Sequence, residues 1–175
     1  MENYKNPISL FKQTNFSKTI WWKLKVNISG YQNETDDKLV TEIFKNRIFR
    51  LLYPNIYQNS HKFSRILIQL YEDGYVCWIN LDGLIIEKYE LGKPENSKKE
   101  HFLIKDKVNS ILKWIKDQSE LNNEYLWGGT LGPNFDWSGL IQTAFFKHQI
   151  YIPRDSFQIK SFSKHLFYYK ESYAA

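Results

Sequence analysis

From Trp22 to Ile28 apolar and polar side chains alternate (Trp22-Lys23-Leu24-Lys25-Val26-Asn27-Ile28), the period-two pattern of a strand with one buried face. A polar stretch from Ser29 to Lys38 breaks it. Ile48-Phe49-Arg50-Leu51-Leu52-Tyr53 then runs into Pro54-Asn55, a turn signal. Arg65-Ile66-Leu67-Ile68-Gln69-Leu70-Tyr71 reads as a strand, Glu72-Asp73-Gly74 as a hairpin turn, and Tyr75-Val76-Cys77-Trp78-Ile79 as the returning partner. Asp82-Gly83 turns the chain again into Leu84-Ile85-Ile86. Short strands spaced by turns over roughly 70 residues predict a small β-barrel or sandwich.

Residues 93–102 hold Pro94, Asn96, Ser97 and a cluster of charges with nothing to bury, and read as a linker. Beyond it the period changes. Ile104, Val108, Ile111, Leu112 and Ile115 recur at helical spacing with lysines opposite, which predicts an amphipathic helix over residues 103–118. A loop follows through Gly128-Gly129 and Gly132-Pro133-Asn134. A second helix is expected after Asp136, its N-cap, with Leu140, Ile141, Ala144, Phe145 and His148 along one face. It should end before Ile150-Tyr151-Ile152-Pro153. Residues 1–20 read as an irregular polar leader, residues 156–175 show no period, and there are no internal repeats.

Composition narrows the class. The chain has 175 residues, 42% hydrophobic and 25% charged, the balance of a soluble globular protein. Its aromatic content is 17%, and each ring can cover about 150–250 Å², so even small modules can bury a core. The single cysteine, Cys77, excludes an intramolecular disulfide and any zinc site built mainly of thiolates. Between Val76 and Trp78 in a predicted strand, it reads as a small buried hydrophobe. No apolar run is long enough to span a bilayer, and no hydrophobic signal segment follows the polar start, so a cytoplasmic location is expected. The net charge of +5 comes from 24 basic residues of which only Arg47, Arg50, Arg65 and Arg154 are arginine. The lysines are scattered, so they read as a solvated surface and no nucleic-acid partner is expected.

Three motifs carry chemistry. Tyr125-Leu126-Trp127-Gly128-Gly129, Asp136-Trp137-Ser138-Gly139-Leu140 and Ile152-Pro153-Arg154-Asp155 resemble, in order and spacing, the NlpC/P60 family of cell-wall cysteine peptidases. The family carries Tyr-x-Trp-Gly-Gly, Asp-Cys-Ser-Gly-Leu and Leu-Pro-Arg-Asp at these places. On the hairpin and Trp78, the N-terminal half is similar to the bacterial SH3-type barrel that precedes this domain in γ-D-glutamyl-L-diamino acid endopeptidases. The resemblance implies an α+β fold: an SH3-like β-barrel over residues 21–92, the linker, then the N-terminal, helical part of a papain-like domain over residues 103–175. It also implies hydrolysis of the γ-D-glutamyl-diamino acid bond in cell-wall peptides, with no metal or organic cofactor. By the same resemblance Asp136 and Ser138 flank the nucleophile and bind the free amine of the peptide. Tyr125 would be a further substrate contact, and Tyr75 the barrel tyrosine that closes the pocket. Read from the residues alone, Asp136 and Ser138 equally form a helix N-cap pair, Tyr125 a core or lid aromatic, and Tyr75 a surface hairpin tyrosine.

A thiol in the first turn of a helix gains thiolate character from the unpaired N–H groups there, and those groups can also hold an oxyanion. Here the nucleophile position is Trp137, whose indole has an N–H donor and no ionisable thiol. The family's base is a histidine further along the chain, yet only 38 residues follow Trp137. His148 sits 11 positions on, about 16 Å along a helix axis at 1.5 Å per residue, too far to serve the helix start. His165, in Lys164-His165-Leu166-Phe167, does not match the family's histidine motif, and His61 and His101 read as exposed loop and linker residues. The expectation is therefore a C-terminally truncated family member without activity in this form. It would be a pseudoenzyme that binds muropeptide or a protein partner, or a decaying gene product. Its incomplete domain would be covered by self-association or by that partner.

Overall fold

A computed structural model describes residue 11 and residues 18–52, 65–90 and 100–161 of the chain. Seven short strands form one antiparallel sheet: β1 (Trp21–Leu24), β2 (Ile28–Tyr31), β3 (Leu39–Ile43), β4 (Ile48–Leu51), β5 (Arg65–Leu70), β6 (Val76–Asn80) and β7 (Ile86–Tyr89). Their order across the sheet is β3-β2-β6-β5-β4-β1-β7. The β5–β6 hairpin pairs Arg65 with Asn80 and Gln69 with Val76, and its turn uses Gly74 at φ +70. Alternate residues point inward and form one core: Trp22 and Leu24, Phe49 and Leu51, Ile66, Ile68 and Leu70, Cys77 and Ile79. Burying each of the large aliphatic or aromatic members contributes about 1.5–3 kcal/mol, which is what holds such short strands in place.

This architecture corrects the expected one. The described chain is mostly a single seven-stranded antiparallel sheet with a few short helices beside it, and it is not the helical N-terminal part of a papain-like domain. An SH3-like barrel is not formed either: the sheet ends on β3 and β7, and among the described residues no ladder joins them. The difference comes from the stretch that reads as a break. Its flanks, Ile28–Tyr31 and Leu39–Ile43, pair with each other, and β2 adds to β6 through Gly30↔Ile79 and Tyr31↔Trp78. Such ladders rest on backbone groups and need no apolar run. Gly30 allows the approach, because a Cβ there would lie 2.8 Å from both Cys77 Sγ and Thr41 Cγ2.

Two helices follow, α1 (Glu100–Ser119) and α2 (Trp137–Phe146), and residues 156–161 are helical. Ile111 of α1 is buried against Ala144, Ile150 and Ile152, with Trp114 and Ile115 half-buried beside it. Val108 and Leu112, expected on the same apolar face, are exposed. On α2 the buried residues are Gly139, Gln142, Thr143 and Ala144 rather than the expected Leu140, Ile141 and Phe145, which are half-buried. Polar anchoring turns the helix this way: Thr143 Oγ1 donates to the Thr130 carbonyl at 2.6 Å, and Gln142 Nε2 donates to Asp73 Oδ2 at 3.0 Å and to the Ile152 carbonyl at 3.1 Å. His148 lies beyond the end of α2, not on it. No helix among the described residues is long and apolar enough to cross a membrane. His61, His165, the side chain of His101 and residues 91–99 of the linker lie outside the described residues, as does most of the 1–20 leader.

Candidate functional site

The site is built around one carboxylate. Asp136, at φ −87 and ψ 170, is the N-cap of α2, and its Oδ1 accepts from the Gly139 N–H at 2.6 Å. Its Oδ2 accepts from the Gly128 N–H at 2.9 Å. Arg154 approaches two-pronged, Nη1 to Oδ1 at 3.1 Å and Nη2 to Oδ2 at 2.5 Å, the planar fork that a guanidinium presents to a carboxylate. Arg154 Nη1 also donates to Ser138 Oγ at 2.6 Å, and that hydroxyl donates to Asp136 Oδ1 at 3.0 Å. Burial alone would raise the Asp136 pKa; the Arg154 and backbone N–H hydrogen bonds, with the Arg154 charge, outweigh it and hold the carboxyl below its ordinary value.

The loop before the helix is held from the sheet. Glu42 of β3 accepts at one carboxylate oxygen from the N–H groups of Thr130 and Leu131, both at 2.9 Å. The Thr130 hydroxyl donates to the Glu42 carbonyl at 2.5 Å, and the Glu42 N–H donates to that hydroxyl at 3.1 Å. Gly128 sits at φ +80, where a Cβ would meet the Leu39 carbonyl carbon and oxygen at 2.8 and 2.9 Å. Gly139 is tighter: a Cβ would lie 2.0 Å from the Gly129 carbonyl oxygen. Loop, sheet edge and helix start therefore touch backbone to backbone.

All five residues singled out in the sequence, Tyr75, Tyr125, Asp136, Trp137 and Ser138, line one cleft of about 610 Å³ between the sheet and the start of α2. Tyr75, just after the β5–β6 turn, is half-buried; burial, with the nearby Asp155 charge, pushes its phenol up to about 12. Trp137 is 79% exposed, and its ring lies 6.5 Å from that of Tyr125. A second groove of about 340 Å³, with Leu121, Phe135 and Leu140 in its walls, lies against the same Tyr125, Asp136 and Trp137. Cys77 and His148 line neither. Burial pushes the Cys77 thiol up to about 12, the reverse of what a nucleophile needs. Among the described residues no group of His, Cys, Asp and Glu side chains is placed to hold a metal. Three contributors escape a motif-based reading of the site: Arg154, quoted only as part of Pro-Arg-Asp, Lys38, which precedes β3 and lines the cleft, and Glu42 of β3, which holds the Thr130 loop. Lys38 Nζ lies 5.6 Å over the Trp127 ring on the cleft wall. The arrangement can bind a ligand against aromatic walls and a hydrogen-bonded polar floor; it presents no thiolate.

The model of the NlpC/P60 family matches residues 122–172. No curated protein matches the chain. Among solved structures, NlpC2 from Trichomonas vaginalis is similar at 18% identity and a TM-score of 0.29, covering 79% of this chain and 45% of that one. An NlpC/P60 family protein from Bacillus cereus ATCC 10987 is similar at 20% identity and a TM-score of 0.26, covering 83% of this chain and 41% of that one. The chain thus spans less than half the length of either structure. The stretch that carries Tyr125, Asp136, Trp137, Ser138 and Arg154 falls within the residues that the NlpC/P60 family model matches.

Proposed function

We propose that the cleft binds a short cell-wall peptide of the L-Ala-γ-D-Glu-diamino acid type and does not hydrolyse it. The observation that carries this reading is Trp137: it occupies the first position of α2, beside the capping Asp136, where the Asp-Cys-Ser-Gly-Leu motif that this stretch resembles has its cysteine. An indole cannot attack a carbonyl, and the chain's one thiol, Cys77, is buried in the sheet core. What supports binding is the cleft itself, of a size that suits a small ligand, with Asp136, Ser138 and Arg154 locked together in its floor. The test uses the full chain and the tripeptide L-Ala-γ-D-Glu-diamino acid. Calorimetry should record saturable binding, and chromatography should find the peptide intact. Release of the diamino acid that iodoacetamide abolishes would refute the non-hydrolytic half of the reading; absence of binding at millimolar peptide would refute the other half.

A further inference from the structure

We infer that Trp137 is a partition: it closes the larger cleft at one end, so that this cleft takes a short peptide with a free amine and a free carboxylate and excludes a chain that continues beyond it. The inference rests on the peptide-binding reading above and names the length and charge of what that site takes. The large cleft and the smaller groove share three wall residues, Tyr125, Asp136 and Trp137. Asp136 is fixed by Arg154 and by two backbone N–H groups, so it cannot move aside. The barrier between the two spaces is therefore the aromatic pair, Trp137 with Tyr125 behind it at 6.5 Å. The high exposure of Trp137 has the same origin, since the indole stands at the boundary of both spaces. A small side chain at this position would join them into one groove. Charge sets the ligand class. Asp136 and Arg154 pair with each other, which leaves Lys38, over the Trp127 ring, and Asp155 as the two charged residues lining the large cleft that form no ion pair among the described residues. One cation and one anion on the same cleft complement a zwitterion, and neither a polyanion nor an uncharged chain.

The experiment measures affinity for two peptide ladders by calorimetry on the full chain. The first ladder is the tripeptide L-Ala-γ-D-Glu-diamino acid and its pentapeptide extended by D-Ala-D-Ala; the second is tri-alanine and penta-alanine. In the wild type each pentapeptide should bind at least about tenfold more weakly than its tripeptide. Trp137→Ala should bring that ratio to within about threefold, and Trp137→Tyr, which keeps a ring, should preserve it. Because Trp137 is largely exposed, Trp137→Ala removes no core packing. A wild-type ratio already within threefold, or a ratio unchanged in Trp137→Ala, would overturn the partition. If only the alanine ladder binds and shows the length effect, the cell-wall reading fails and the partition stands. If neither ladder binds, both fall.

Discussion

Replacing Arg154 by Met tests whether the Asp136–Arg154 pair anchors the site. The substitution keeps most of the aliphatic stem and removes every donor. Asp136 loses the two guanidinium hydrogen bonds, at 3.1 and 2.5 Å, and keeps three donors: the N–H groups of Gly128 and Gly139 and the hydroxyl of Ser138. Breaking a buried ion pair from one side costs about 3–5 kcal/mol. The Asp136 side chain is 12% exposed and still capped, so the low end of that range, about 3 kcal/mol, is expected. The assay is equilibrium urea unfolding followed by circular dichroism, repeated over pH. In the wild type the Asp136 carboxyl titrates below its ordinary value of 3.8, so its contribution is present above that pH and lost as pH falls through the lower native value. Without Arg154 the native value moves up, and the gap between variant and wild type should narrow as the solution is acidified. A loss under about 1 kcal/mol at neutral pH, or a gap that stays constant into the acid range, would refute the anchoring role.

Two further outcomes follow from packing. Gly139→Ala gains about 1 kcal/mol of helix propensity, but its Cβ meets the Gly129 carbonyl oxygen at 2.0 Å. That oxygen is held by the Asp136 N–H at 3.2 Å, so the overpacking cost of about 1–3 kcal/mol or more should win and lower the urea midpoint; an unchanged or raised midpoint would show slack in the loop. Cys77, buried and with its thiol pushed up to about 12, should not react with a chromogenic disulfide in native buffer and should react fully in denaturing urea. Rapid reaction of the folded chain would place the thiol at the surface.

The readable parts of the chain are those whose signals are local. The β5–β6 hairpin follows from its alternation and its Glu72-Asp73-Gly74 turn, and α2 follows from Asp136 as a cap. Strands β2 and β3 carry no such signal, because Ser29, Gly30, Thr41 and Glu42 interrupt any apolar run and pair through their backbones. Missing them changes the architecture, since local pattern names strands and leaves open which strands become neighbours. The candidate site divides in the same way. Asp136, Trp137 and Ser138 are visible because they sit in one motif. The contacts of Glu42 with Thr130 and Leu131 join positions 88 and 89 apart, and Arg154 reaches Thr41 across 113, separations at which no short-range pattern reports.

Those separations also have a kinetic meaning. The β5–β6 hairpin closes over a few residues, whereas the Glu42 clasp on the Thr130 loop closes a ring of 88 residues, and the entropy cost of closure grows with the logarithm of that length. The clasp needs β3 already in register, and β3 needs β2. The cleft is therefore expected to come together after the sheet has formed, completing the route to the native state instead of starting it. Substitutions in the Glu42–Thr130 clasp should accordingly accelerate unfolding far more than they slow refolding, because the interactions they remove are absent at the folding barrier.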